Sequence, residues 1–225
     1  MAVAEPQQVG QAARQPLLNP VDRVSELIFG LFMALTFVGV VSMATADRQE
    51  IETMLAAALG CNIAWGLVDA VMYLVRTITD RGRLFTLVRS IRGADAEAGR
   101  TMLRDALTST PGARLISSTE IEAMHGRLLA LTDLPARPEL QRDDLLAALG
   151  IFLIVVASTF PVALPFVFLA DPATALFVSR VIAVVMLFFA GLALGRYAGY
   201  GSWKTGVVMA VLGVVVVAAV VALGG

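Results

Sequence analysis

The chain has 225 residues, of which 58% are hydrophobic, one is cysteine and one is histidine, and its formal net charge is −1. A soluble domain is roughly 45–50% apolar, so this excess, with a mean hydropathy of +0.80, argues for a polytopic membrane protein. The near-neutral balance exerts no pull on nucleic acid, Cys61 alone makes neither an intrachain disulfide nor a cysteine-built zinc site, and no nucleophile–base pair or phosphate-cradling loop points to an enzyme.

Residues 1–22 include the polar, proline-bearing stretch MAVAEPQQVGQAARQPLLNP. It lacks the apolar core and cleavage site of a secretory signal, and a mobile tail is expected. A spanning helix needs about 20 mostly apolar residues. Five segments meet this, at about Val24–Ala46, Met54–Thr77, Leu145–Leu169, Ala173–Ala198 and Trp203–Leu223. The expected fold is therefore all-α: a bundle of five transmembrane helices. Helices one and two fall within residues 23–78 and three to five within 145–225, with a helical cytoplasmic insert at 79–144. Arg23, the many arginines of the insert, and Arg196 with Lys204 fall on one side of such a path. The opposite turns, TADRQEIET and ADPAT, are acidic or neutral. The positive-inside rule then gives a cytoplasmic N-terminus and an outside C-terminus, in a plasma or inner membrane.

The first helix carries Glu26, with Met33 two turns on and on the same face. A carboxylate in a first helical turn is also favourable without any ligand. The second helix holds GCNIAWGLVDAVMYL, with Asp69 deep in an apolar run. An acid at the centre of a span costs roughly 2.5–3.5 kcal/mol. Asn62, Trp65, Gly66, Met72 and Tyr73 share the face of Asp69, while Ile63, Leu67 and Val71 lie opposite. Asp69 lies roughly 10 Å above the cytoplasmic end of its span at 1.5 Å per residue. Glu26 and Asp69 can therefore meet in the cytoplasmic third of the bundle. Their hard oxygens, with a thioether nearby, suit Fe²⁺ or Mn²⁺ better than Ca²⁺, and a carboxylate pair in a low-dielectric site suits a proton-coupled step. The competing reading is a structural ion pair between Asp69 and Arg180 or Arg196. Cys61 reads as a small packing residue.

Small residues recur four apart at Ala56, Gly60 and Ala64, and again at Gly191, Gly195 and Gly199. Such stripes let helices approach closely, within one bundle or across a homodimer seam. Pro161 and Pro165 interrupt the third span and predict a kink there. The hydroxyls of Ser158 and Thr159 are expected to satisfy the carbonyls the prolines free.

In the insert, RLFTLVRSIR either extends the second span or lies on an anionic leaflet. DAEAGRTMLRDALTS and SSTEIEAMHGRLLAL read as amphipathic helices. Ser117 with Glu120, and Thr119 with Glu122, both fit a capping box. Glu122 and His125 also form an E-x-x-H, which sets a carboxylate and an imidazole on one face. With Glu120, and with Asp95 and Glu97 if the helices pack, they would collect metal. The alternative is capping glutamates and a solvated His125.

The layout resembles the vacuolar iron transporter family. ELIFGLFMALTFVGVVS is similar to that family's Gly-rich first helix, STFPVALPFVFL to its proline-bearing third, and GLALGRYAGYGSWKTGVVMAVLGVVVVAAVVALGG to its fourth-to-fifth turn. The family's first helix carries an acidic–Gly pair where this chain reads Phe32-Met33-Ala34. The resemblance implies a divalent-iron or manganese exporter, proton-driven and dimeric, in which Asp69 and Glu26 act as substitute ligands unless transport has been lost. The function expected is thus metal-cation transport, with Fe²⁺ or Mn²⁺ as cargo and no permanent cofactor. Asp69 is the central ligand, Glu26 the cytoplasmic-side acid, and Asn62, Met33, Met72 and Tyr73 line the path. A second expectation is a non-transporting membrane protein whose arginine-rich insert binds a protein partner or anionic lipid.

Overall fold

The computed structural model describes residues 18–41, 48–108, 115–131, 137–199 and 201–223. Among these the chain is all-helical: α1 (Pro20–Val41), α2 (Arg48–Gly93), α3 (Ala96–Thr108), α4 (Ser118–Ala130), α5 (Arg142–Phe168), α6 (Pro172–Ala198) and α7 (Ser202–Ala222). Most of the expected tail lies outside the described residues, as does the stretch at 42–46 assigned to the first span. The chain divides into two compact units. One holds the residues up to Val71 and those from Asp143 onward; the other is Met72–Arg142.

Among the described residues four helices are long and apolar enough to cross a membrane: α2 from Leu55, α5, α6 and α7. Helix α1 is equally apolar beyond its first turns but carries Asp22, Arg23 and Glu26 within them. Helix α2 runs for 46 residues, about 69 Å at 1.5 Å per residue, more than twice a hydrocarbon core of about 30 Å. The expected end of the second span at Thr77 is therefore not a helix end. The segment RLFTLVRSIR continues the same helix to Gly93, because nothing between Thr77 and Gly93 breaks a helix: the run has no proline, and Thr77, Thr79 and Thr86 return their hydroxyls to carbonyls one turn back.

The first unit is organised around α1. Leu31 and Leu35 are fully buried against Ala183 and Leu187 of α6, with Val162 and Phe166 of α5 completing the cluster. Lipid supplies no hydrophobic drive between helices, so close packing at small residues has to hold them together. A Cβ at Gly191 would lie 2.8 Å from the Cα of Gly206, and one at Gly195 would lie 2.8 Å from the Cα of Ser202. The α6–α7 stripe is thus consumed inside the bundle. The turn between these helices uses Gly199 at φ 74 and Gly201 at φ 86, both left-handed positions that favour glycine. By contrast a Cβ at Gly60 meets nothing within 4 Å. Large apolar side chains such as Leu153, Phe160, Phe177 and Phe189 are exposed on the outward faces of α5 and α6, as a lipid-facing surface requires. Tyr197 and Trp203, also exposed, sit beside Arg196 and Lys204 at the α6–α7 turn, a composition typical of a membrane interface.

Pro161 and Pro165 lie within α5, whose helix runs on to Phe168. The hydroxyls of Ser158 and Thr159 do not go to the carbonyls freed by the prolines. They donate one turn earlier, to Val155 at 2.7 Å and Val156 at 2.8 Å, because a threonine or serine in a helix reaches back three or four residues. Ser179 of α6, fully buried, donates to the Val162 carbonyl between the two prolines.

In the second unit, Ile91 of α2, Leu103 of α3 and Ile121 of α4 form the core, with Leu87, Leu107 and Met124 around them. Arg81 donates to the Glu139 carbonyl at 2.8 Å and ties α2 to the segment before α5.

Candidate functional site

The polar face of α2 meets α1 and α5 at Asn62. The Asn62 side chain is 4% exposed, and its Nδ2 donates to the Val155 carbonyl at 3.2 Å and to the Thr159 hydroxyl at 3.0 Å. Both partners are acceptors here, since Thr159 spends its own proton on Val156. This fixes the orientation of the amide and leaves Oδ1 as the free end. Asn62 Oδ1 is buried, and among the described residues nothing donates to it. Gly66 lets α2 approach α5, with a Cβ there only 3.3 Å from Phe152 and Val156. Gly30 does the same for α1 against Ser158.

Beside Asn62 lies a cavity of about 40 Å³, large enough for a water molecule. Its walls include Met33, Phe37, Cys61, Asn62 and Thr159, and among the described residues neither Glu26 nor Asp69. Two sulfurs and two polar side chains thus border one small space. Cys61, expected as a small packing residue, is exposed and free.

Asp69 lies two turns further along α2. It is half-buried, and its Oδ2 is buried without a hydrogen-bond donor among the described residues. It makes no ion pair with Arg180 or Arg196 among the described residues: Arg180 keeps Nε and Nη2 buried and unpartnered, and Arg196 is exposed. Glu26 is half-buried on the second turn of α1 and has an interaction of its own. The register of α1 on α2 relates these acids. The Phe29 and Trp65 rings meet edge to face at 6.4 Å, and Met33 and Asn62 line the same small cavity. The helices are therefore antiparallel, and stepping seven residues from Met33 and from Asn62 brings Glu26 and Asp69 to one level, about 10 Å from the cavity. Met72 is exposed and Tyr73 half-buried; both belong to the second unit.

The insert's candidate ligands go elsewhere. Glu120 and Ser117 form the capping box of α4, with the Ser117 amide donating to Glu120 at 2.7 Å. That backbone bond, with the Ser117 hydroxyl, holds the Glu120 carboxyl below its ordinary value. Arg100 bridges Glu97 at 2.9 Å and Glu122 at 3.2 Å. Asp95 accepts the Glu97 and Ala98 amides at the start of α3. Thr119 with Glu122, the other capping frame, does not form the box. His125 is not solvated: it is 5% exposed, packed against Gly99, and its Nε2 is buried without a partner. The absence of a Cβ at Gly99 makes room for the ring, a long-range reason that the E-x-x-H spacing does not carry. Among the described residues no three His, Cys, Asp or Glu side chains gather into a metal-sized cluster.

Sequence reasoning found Asn62 and Asp69 through the polar stripe but missed Thr159 as the partner of Asn62. The signal was a threonine two residues before Pro161 in an otherwise apolar span. The chain matches no protein-family model and no curated protein.

Proposed function

We propose that the chain is an integral membrane protein of five spans, α1 being the fifth, that carries a divalent cation, Fe²⁺ or Mn²⁺, between α1, α2 and α5. The observation that carries this reading is the pair of buried oxygens on one face of α2, Asn62 Oδ1 and Asp69 Oδ2, with no donor among the described residues. A buried acceptor without a donor costs about 1–3 kcal/mol, more if charged, and inside a span such oxygens serve ion and proton pathways. Met33 and Cys61 add polarisable sulfur beside Asn62, which favours a first-row transition metal over Ca²⁺. Glu26, level with Asp69, supplies a second carboxylate toward the cytoplasmic side. The resemblance to the vacuolar iron transporter family agrees with this assignment. Purified chain in vesicles should admit Mn²⁺ above the protein-free level, with Fe²⁺ competing and Ca²⁺ not. Flux equal to that of empty vesicles would end the proposal.

A second reading has its own observation. Glu97 and Glu122 are engaged by Arg100, and Asp95 and Glu120 by helix starts, while Arg89 and Arg92 remain exposed, as does Arg83 beside Asp80 at 3.9 Å. On this reading the insert docks on an anionic leaflet or an acidic protein. Metal binding weakened by His125→Ala favours metal collection by the insert; binding to anionic vesicles without metal favours docking.

A further inference from the structure

Arg180 is the one cation that α6 holds within its apolar stretch, and it lines a groove of about 490 Å³ whose other walls include Phe177, Val181 and Val184 of α6 and Val214 and Val217 of α7. Its Nε and Nη2 are buried, with no acceptor among the described residues. A guanidinium presents its N–H groups as a planar fork matched to carboxylate or phosphate oxygens, and the groove around it is otherwise hydrocarbon. The combination of an idle fork and a valine-lined channel is that of a receptor for an anionic amphiphile.

Depth identifies which amphiphile. Arg180 lies eight residues beyond Pro172, about 12 Å along α6. Helix α6 has 27 residues, about 40 Å, so in a hydrocarbon core of about 30 Å the Arg180 backbone sits about 7 Å below the nearer boundary. In a helix the Cα–Cβ bond leans toward the N-terminus, which here is that boundary. The long stem therefore leans toward the headgroup level, and the guanidinium lies within reach of a phosphate seated at the mouth of the groove. A zwitterionic headgroup would also need an acid or an aromatic cage for its ammonium, and the described walls offer no carboxylate.

We propose that this groove binds one anionic phospholipid, its phosphate on the Arg180 fork and an acyl chain along Val184 and Val214. The proposal rests on α6 and α7 spanning the membrane and is independent of cation transport. The test is native mass spectrometry of the full chain released from membranes of equimolar phosphatidylglycerol and phosphatidylcholine. The wild type should retain one phosphatidylglycerol per chain. Arg180→Gln should lose that retention about tenfold, and Arg180→Lys should keep part of it. Val217→Trp, which fills the groove and leaves the charge, should also lose it. Arg196→Gln, exposed and outside the groove, should retain lipid like the wild type. Undiminished retention in Arg180→Gln, indifference between the two lipids, or an equal loss in Arg196→Gln would overturn the proposal; the first of these would point to an acid of this chain or of a second copy as the partner of Arg180. A chain that does not insert into vesicles at all would overturn the spanning reading as well, whereas lipid-blind retention by an inserted chain defeats the groove alone.

Discussion

Asn62 on α2 donates its amide to the Thr159 hydroxyl on α5 at 3.0 Å, and in doing so leaves its own carbonyl oxygen buried without a donor among the described residues. Two donated hydrogens hold the side chain in place, so the free oxygen is oriented rather than loose. That is the geometry of a ligand supported by its neighbours, since groups behind a ligand fix its direction.

Removing that oxygen should therefore impair transport without unfolding the bundle. Asn62→Ala is expected to lower Mn²⁺ flux about 10–100-fold, the range seen when supporting groups of metal sites are lost. Thr159→Val, which removes the hydroxyl and keeps the volume, should show a smaller loss. Flux measurements on vesicles with matched protein content check both, and an Asn62→Ala chain that transports like the wild type would remove the cavity from the path.

Five spans put the two termini on opposite sides, whereas four put them on the same side. With Cys61→Ser as background, single cysteines added at the two ends should differ in their reaction with a membrane-impermeant thiol reagent applied to intact cells. The expected result is labelling at the C-terminal end only. Labelling at both ends would show that α1 does not cross.

The glycine contacts predict a sharp contrast in stability. Gly191→Ala drives a methyl against backbone atoms of Gly206 and Thr205, both at 2.8 Å, which cannot move aside cheaply. Overpacking of this kind costs about 1–3 kcal/mol, and the thermal unfolding midpoint in detergent should fall by several degrees. Gly60→Ala meets nothing within 4 Å and should stay within about 0.5 kcal/mol of the wild type.

What the sequence alone shows divides along the same physical lines. Helices α5, α6 and α7 are legible because about 20 apolar residues have few other uses, and their ends coincide with Asp171, Gly199 and Gly201, where capping and turn chemistry are local. The end of α2 is not legible, because the arginines after Thr77 mark the membrane surface and a helix need not stop there. His125 shows the other limit. Its burial depends on Gly99, 26 positions away, and pairing between helices leaves no trace in local spacing. The choice of Ser117 over Thr119 as the α4 cap was open in sequence, since both frames supply a hydroxyl and a glutamate.

The α4 cap gives a pH prediction of definite sign. The Ser117 amide and hydroxyl favour ionised Glu120, so its folded-state value lies below the unfolded one. The cap's contribution is therefore complete above the unfolded value and is lost as pH falls through the folded one, on the acid side of the ordinary glutamate range. Amide exchange in the first turn of α4, corrected for its intrinsic pH dependence, should accelerate in that range. In Glu120→Gln the extra acceleration should vanish, and an unchanged acid profile in that variant would contradict the assignment.

The central claim is that Asp69 faces a cation route rather than a structural partner. The most direct measurement is Mn²⁺ uptake by vesicles carrying wild type, Asp69→Asn or Asp69→Glu at equal protein density. Uptake by Asp69→Asn at the level of empty vesicles, with partial activity in Asp69→Glu, is the predicted result. Uptake by Asp69→Asn equal to that of the wild type would contradict it.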